Sequence, residues 1–313
     1  MPTWKFKSDA TLCLRKLVFA ACCASLVAGQ PLQKPESAGL TSFSTDANLV
    51  LVPVTVTDRY GKTISDLKPE HFRVSDGSKP RDIVSFGRVD APVAMGVVLD
   101  LSTSMHRKLP FALAAARAVI DTLSPEDAGY LVTFDKTPEL RVGFTRDVES
   151  LGESLLFSTA QGNTALFDAI GLALRHGREG KGFRKVLLVI SDGGDNRSRL
   201  MESDLVSAAL EADTQIYCIG VHERLRARDE VAGAHFMERL ATLTGGLKFD
   251  VRTEGEVQSM AHAISLAMKD QYLIGFKPHD EVVSGKWRKV RISVDVPGIR
   301  SLRVSAKSGY FNP

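Results

Sequence analysis

Between about Pro92 and Ser265 the sequence alternates strand-like and helix-like runs, and this alternation restricts the fold more than any other feature. Ala94 to Leu99, Gly129 to Phe134, Val186 to Ser191 and Gln215 to Val221 are continuously apolar, the pattern of strands covered on both faces. Between and after them lie LPFALAAARAVIDTL with Pro110 near its start, ALFDAIGLALRHG ending at Gly177, SDLVSAALEA, and FMERLATLTGG with Gly245 as its stop. Strands and helices alternating with crossovers of this length predict an α/β fold with a doubly wound, mainly parallel sheet. LRVGFT, behind the turn DKTPE, is expected as one antiparallel edge strand.

On either side the pattern is β only. NLVLVPVTVTD, the turn RYGK and FRVSDGSKPRDIVSFGRV come before; QYLIGFKP, WRKVRISVDV and LRVSAKSGYF come after a last helical stretch around Val257 to Met268. Each flank alone would leave an apolar face and unpaired edges in water. The flanks, 47–91 and 271–313, are therefore expected to pair with each other in a small sheet or sandwich, with the α/β domain, 92–270, inserted between them.

The N-terminus has a different grammar. Lys5, Lys7, Arg15 and Lys16 precede an apolar stretch from Leu17 to Ala28 and then small residues, the layout of a secretory signal over 1–29. An apolar run of about 12 residues is too short to cross ~30 Å of hydrocarbon as a helix, so no stable membrane span is expected in the mature chain. Phe19-Ala20-Ala21-Cys22 loosely resembles a lipobox, but the apolar run before the cysteine is too short to favour a lipid anchor. Residues 30–46 are polar, contain Pro and Ser, lack periodicity, and are expected as a flexible tether. The expected location is periplasmic or extracellular.

Removing the signal changes two global properties. Its four basic groups and one acid carry the whole +3 of the 313-residue chain, so the mature chain is near neutral and gives no electrostatic argument for nucleic-acid binding. Of the four cysteines only Cys218 remains, in the apolar run IYCIG, which excludes a disulfide framework and a zinc-type cysteine cluster.

Three strand or helix ends concentrate oxygen chemistry. VVLDLSTSM finishes a buried strand with Asp100-x-Ser102-x-Ser104, QGNTALFDAI puts Thr164 before a helix, and VLLVISDGGDN puts Asp192 at the carboxyl end of another strand. In a doubly wound sheet, ligands sit outside such carboxyl ends. Two carboxylates and three hydroxyls suit a small hard cation, Mg²⁺ or Mn²⁺; zinc would call for Cys or His. Two carboxylates roughly neutralise a divalent ion without saturating it, leaving a position for an anionic oxygen from outside.

Asp100-x-Ser102-x-Ser104, Thr164 in its G-N-T turn and Ser191-Asp192-Gly193 together resemble the metal-ion-dependent adhesion site of von Willebrand factor type A (VWFA) domains. The resemblance covers roughly residues 92 to 265. It implies a Rossmann-like domain whose serine hydroxyls bind Mg²⁺ directly, with Thr164 joining in one metal state and both acids acting largely through water. Outside the domain the chain resembles bacterial secreted VWFA-related proteins, a group named for acidobacterial members, on the residues VTVTDRYGKTISDLKPEHFRVSDGSKPRDIVSFGRV before it and YLIGFKP, WRKVRISVDV and VSAKSGYF after it. In type A domains that switch affinity the last helix moves; here that helix is the one near Val257 to Met268.

Catalysis finds little support. Neither Ser102 nor Ser104 lies in a G-x-S-x-G elbow, and His106 shares their loop without an evident orienting acid. A phosphotransfer reading of Asp100 lacks a second acid two residues on, where Ser102 stands. GREGKGF lacks phosphate-loop spacing and follows a helix, and His222, His235, His262 and His279 are scattered. The expectation is a non-enzymatic module that takes an Asp or Glu of a protein partner as a further ligand of the metal at Asp100, Ser102, Ser104, Thr164 and Asp192. The alternatives are an assembly protein whose metal only stabilises the fold and, further off, a metal-dependent hydrolase.

Overall fold

The computed structural model of the protein describes residues 49–156, 158–221, 228–278, 285–299 and 301–311. The expected signal peptide and tether, and His222 and His279, lie outside them. Four strands come first: β1 Val50–Thr57, β2 Phe72–Asp76, β3 Lys79–Arg81 and β4 Ile83–Arg88. The α/β region follows as β5 Val93–Asp100, α1 Leu109–Ile120, β6 Ala128–Phe134, β7 Pro138–Thr145, α2 Val148–Leu155, α3 Leu166–His176, β8 Arg184–Ser191, α4 Glu202–Glu211, β9 Gln215–Val221, α5 Arg228–Thr244, β10 Lys248–Val251 and α6 Glu254–Lys269. The chain closes with β11 Tyr272–Phe276, β12 Trp287–Val294, β13 Arg303–Ala306 and β14 Gly309–Phe311.

The four apolar runs become the centre of a six-stranded sheet of order β10-β9-β8-β5-β6-β7. All its neighbours are parallel except β7, which runs antiparallel to β6 at the edge, as LRVGFT suggests. Successive side chains of one strand enter opposite cores. Met95, Val97 and Leu99 of β5 join Leu188 and Ile190 under α1, α2 and α6, whereas Val98, Leu187 and Val189 join Val132 under α3, α4 and α5. Burial on both faces is what made these runs continuously apolar instead of alternating.

Two elements go beyond the sequence reading. α2 is short and amphipathic, and its start is set by Asp147, whose carboxylate accepts from Ser150 N at 3.2 Å. β10, KFDV, buries only Val251 and pairs in parallel with β9, so it carries no continuous apolar signal. α5 also starts earlier than the apolar residues of FMERLATLTGG imply, at Arg228.

The flanks form two four-stranded antiparallel sheets, β13-β1-β11-β4 and β14-β12-β2-β3, each mixing strands from both ends of the chain. Val54 lies opposite Tyr272, and Val74 opposite Ile292. Val52, Val54, Phe72, Ile274, Phe276 and Val290 share one core, so the two sheets form a sandwich. A polar knot joins it to the α/β region. The Thr55 hydroxyl and the Tyr217 hydroxyl both donate to Ala267 O near the end of α6, at 3.1 and 3.0 Å, and buried Gln271 donates to Thr55 Oγ1 at 2.9 Å. Among the described residues no helix is long and apolar enough to cross a membrane.

Candidate metal centre

The strand order fixes where a ligand would go. From β5 the chain moves outward to β6 and β7, then returns to the other side of β5 for β8, β9 and β10. The connections therefore diverge between β5 and β8, and the crevice outside the carboxyl ends of these two strands is the binding position of an open α/β sheet. Asp100 ends β5, and Asp192 directly follows β8.

In the first loop, Asp100 and Ser102 are fully buried and Ser104 is exposed. Asp100 Oδ1 accepts from Ser102 N at 2.9 Å, folding the loop back on its own acid, and the Ser102 and Ser104 hydroxyls lie 3.1 Å apart. The second loop is tied to the first through Thr103, whose N–H and hydroxyl both donate to Gly162 O, at 3.0 and 2.9 Å. Gly162 has φ +80°, a conformation costly for any residue with a Cβ, which is the reason for glycine in the QGNT turn.

Two residues later Thr164 is 4% exposed, and its hydroxyl has no hydrogen-bond partner among the described residues. The third loop holds it in place: Thr164 N donates to Asn196 Oδ1 at 3.1 Å, and Asn196 N and Arg197 N donate to Thr164 O. Asp195 accepts from Phe167 N in the first turn of α3 and from Ser198 Oγ. Asp195 and Asn196 thus shape the loops around the centre.

Two residues to which the sequence reading gave no role belong here, Ser191, quoted there only as part of a motif, and Lys108. Ser191, the last residue of β8, donates from its hydroxyl to Asp100 Oδ2 at 2.5 Å, joining the two strand ends. Lys108, 5% exposed just before α1, donates from its ammonium to Asp192 Oδ2 at 2.9 Å. A signal for Ser191 was present, since it is a lone hydroxyl closing an otherwise apolar strand next to an acid. Lys108 had none, because nothing in HRKLP separates it from its neighbour Arg107, which is exposed.

Burial, with the nearby Asp192 charge second, pushes the Asp100 carboxyl up to about 7 against the opposing pull of hydrogen bonds from Ser102 and Ser191. Added positive charge is the simplest remedy for two acids sharing a buried pocket. The donor set fits that remedy: it is all oxygen, with two carboxylates, three hydroxyls and no thiol or imidazole. Among the described residues no three His, Cys, Asp or Glu side chains converge as a metal cluster, so any ion here would lean on the hydroxyls as well as the two acids.

Residues 95–194 match the model of the von Willebrand factor type A domain family. The chain contains a type A domain. The matched stretch includes Asp100, Ser102, Ser104, Thr164 and Asp192. The type A fold is shared with a solved von Willebrand factor type A protein from Catenulispora acidiphila, 11% identical, with a TM-score of 0.51 over 86% of this chain and 74% of the other. BatB from Bacteroides thetaiotaomicron superposes with a TM-score of 0.46 at 20% identity, over 56% of this chain and 99% of its own. Among curated proteins, an uncharacterized protein of Borreliella burgdorferi is 24% identical over 214 residues, 64% of this chain. The chain spans 61% of that relative's length.

Proposed function

We propose that this chain is an exported, non-enzymatic protein-binding module whose type A domain holds Mg²⁺ or Mn²⁺ at Asp100, Ser102, Ser104, Thr164 and Asp192. The observation that carries the reading is the placement of the oxygen-bearing loops at the one crevice where the sheet reverses its winding. A divalent ion there would supply the positive charge that takes up an Asp or Glu carboxylate from a partner protein. Ser102 and Ser104, with their hydroxyls side by side, and the uncommitted Thr164 hydroxyl would hold it, and Asp100 and Asp192 would balance its charge.

Against the nucleophilic reading of Ser102 or Ser104 stands His106, which is exposed and makes no hydrogen bond to either serine among the described residues, so it is not poised as their base. Export is supported by the basic, apolar, small-residue order of residues 1–29. The test is calorimetric titration of Mg²⁺ and Mn²⁺ into the chain from Gln30 beside Asp100→Ala. Saturable 1:1 binding lost in the variant is expected; identical heats in both proteins would remove the metal from the function.

One observation favours a second reading, in which the ion only stabilises the strand ends. The acids are already knitted into the fold by Ser191 and Lys108. If that is their whole purpose, Ser102→Ala combined with Ser104→Ala lowers thermal stability in Mg²⁺ but leaves capture of an acidic partner unchanged.

A further inference from the structure

The centre already contains a buried cation, and it is the chain's own. Lys108 is anchored at both backbone ends, its N–H donating to Met105 O at 2.8 Å and its carbonyl accepting from Ala112 N at 3.0 Å in the first turn of α1. Its side chain is 6% exposed and the Asp192 side chain 1%, so the pair is taken out of water. Withdrawing an ammonium and a four-carbon stem from solvent is costly unless the charge meets a partner. Asp192, a carboxylate that Lys108 engages, is the second acid of the centre.

We propose that Lys108 is a built-in competitor of the divalent ion: its ammonium holds Asp192 in the ion-free protein and must yield some of that carboxylate when an ion enters, which lowers the affinity of the centre for the free ion. The proposal rests on the metal-binding reading above. With both acids ionised, as they would be around a bound dication, Asp100, Asp192 and Lys108 together carry −1, against −2 for the two acids alone, so the attraction felt by the dication is roughly halved. In the ion-free protein the same lysine offsets the mutual repulsion of the acids, so one residue raises the stability of the empty centre and weakens its filling.

The test is Mn²⁺ titration of the wild-type chain, Lys108→Met and Lys108→Gln, with thermal unfolding in EDTA and in Mn²⁺. Lys108→Met keeps the stem and removes the charge; Lys108→Gln keeps a donor toward Asp192 and covers the case in which the methionine variant does not fold. Both variants are expected to bind Mn²⁺ at least about tenfold more tightly, about 1.4 kcal/mol. Both should melt below wild type in EDTA and gain more than wild type from Mn²⁺. Unchanged or weaker Mn²⁺ binding in a variant with wild-type circular dichroism overturns the proposal. Where Asp100→Ala still abolishes wild-type binding, that result leaves the metal reading standing; absence of saturable binding in all three proteins overturns both.

Discussion

The hydroxyl of Ser191 donates to Asp100 Oδ2 at 2.5 Å, and Ser191 Oγ itself accepts from Gly193 N at 2.9 Å. One side chain thus stitches the end of β8 to the end of β5 and begins the turn that carries Asp192. Ser191→Ala would leave a buried carboxylate oxygen and a buried N–H short of a partner, which costs about 1–3 kcal/mol. Urea unfolding should show a lower midpoint at an unchanged m-value; an unmoved midpoint would mean that the stitch contributes nothing.

The loop after β8 also depends on two glycines. Gly193 has φ +92°, and its carbonyl oxygen stands 1.8 Å from where a Cβ on Gly233 of α5 would be built. Gly233→Ala therefore cannot be absorbed by a rotamer change. It must push backbone apart beside Asp192, at about 1–3 kcal/mol. Gly255 of α6 has nothing within 4 Å of its would-be Cβ, so Gly255→Ala should stabilise by about 0.5–1 kcal/mol through helix propensity. Thermal melts of the two variants should move in opposite directions, and a shared direction would contradict this account.

What the sequence made legible follows from which signals are local. β5, β6, β8 and β9 are buried on both faces, so their apolar runs announce themselves, and Asp100 and Asp192 stand out as the acids that terminate two of them. The pairing of the flanks was legible from mutual need. The choice between one sheet and a sandwich, and which strands share a sheet, was not, because the register of β1 with β11 or of β2 with β12 joins residues about 200 positions apart. Lys108 was hidden for a related reason: its burial is decided by Asp192, 84 positions away in the chain, while its neighbours describe an ordinary basic turn.

At the opposite end of the sheet Asp127 is 3% exposed and accepts from Val93 N at 2.8 Å and Ser124 N at 2.7 Å, with Lys269 Nζ 3.2 Å away. Burial pulls its carboxyl up, but these donors and the lysine outweigh it, and the net effect holds the group below its ordinary range. A carboxyl depressed in the folded state stabilises the fold above the unfolded value of about 3.9, and that contribution disappears as pH falls through the folded value. Asp127→Asn turns one acceptor into a donor facing N–H groups and should cost about 1–3 kcal/mol at neutral pH. The gap between variant and wild type should narrow below about pH 4. A gap of constant size from neutral pH to pH 3 would mean that the charge of Asp127 plays no part.

The knot between the sandwich and α6 makes an asymmetric prediction. Gln271 is fully buried; its Nε2 donates to Thr55 Oγ1 at 2.9 Å, while its Oε1 has no partner among the described residues. Gln271→Met removes an unpaired acceptor and orphans nothing, since the Thr55 and Tyr217 hydroxyls still donate to Ala267 O. Thr55→Val does the reverse: it leaves the buried amide with only the 3.4 Å contact to Tyr217 and withdraws one of two donors from the Ala267 carbonyl. Leaving a buried donor unsatisfied costs about 1–3 kcal/mol, whereas removing polar groups together is nearly neutral. Thr55→Val should therefore melt well below wild type, with Gln271→Met at or above it. Because Ala267 lies near the end of α6, Thr55→Val should also loosen the coupling of that helix to the flank, seen as faster amide exchange at α6 in the variant alone. A larger stability loss for Gln271→Met than for Thr55→Val would show that the glutamine, and not the threonine, is the member on which the junction depends.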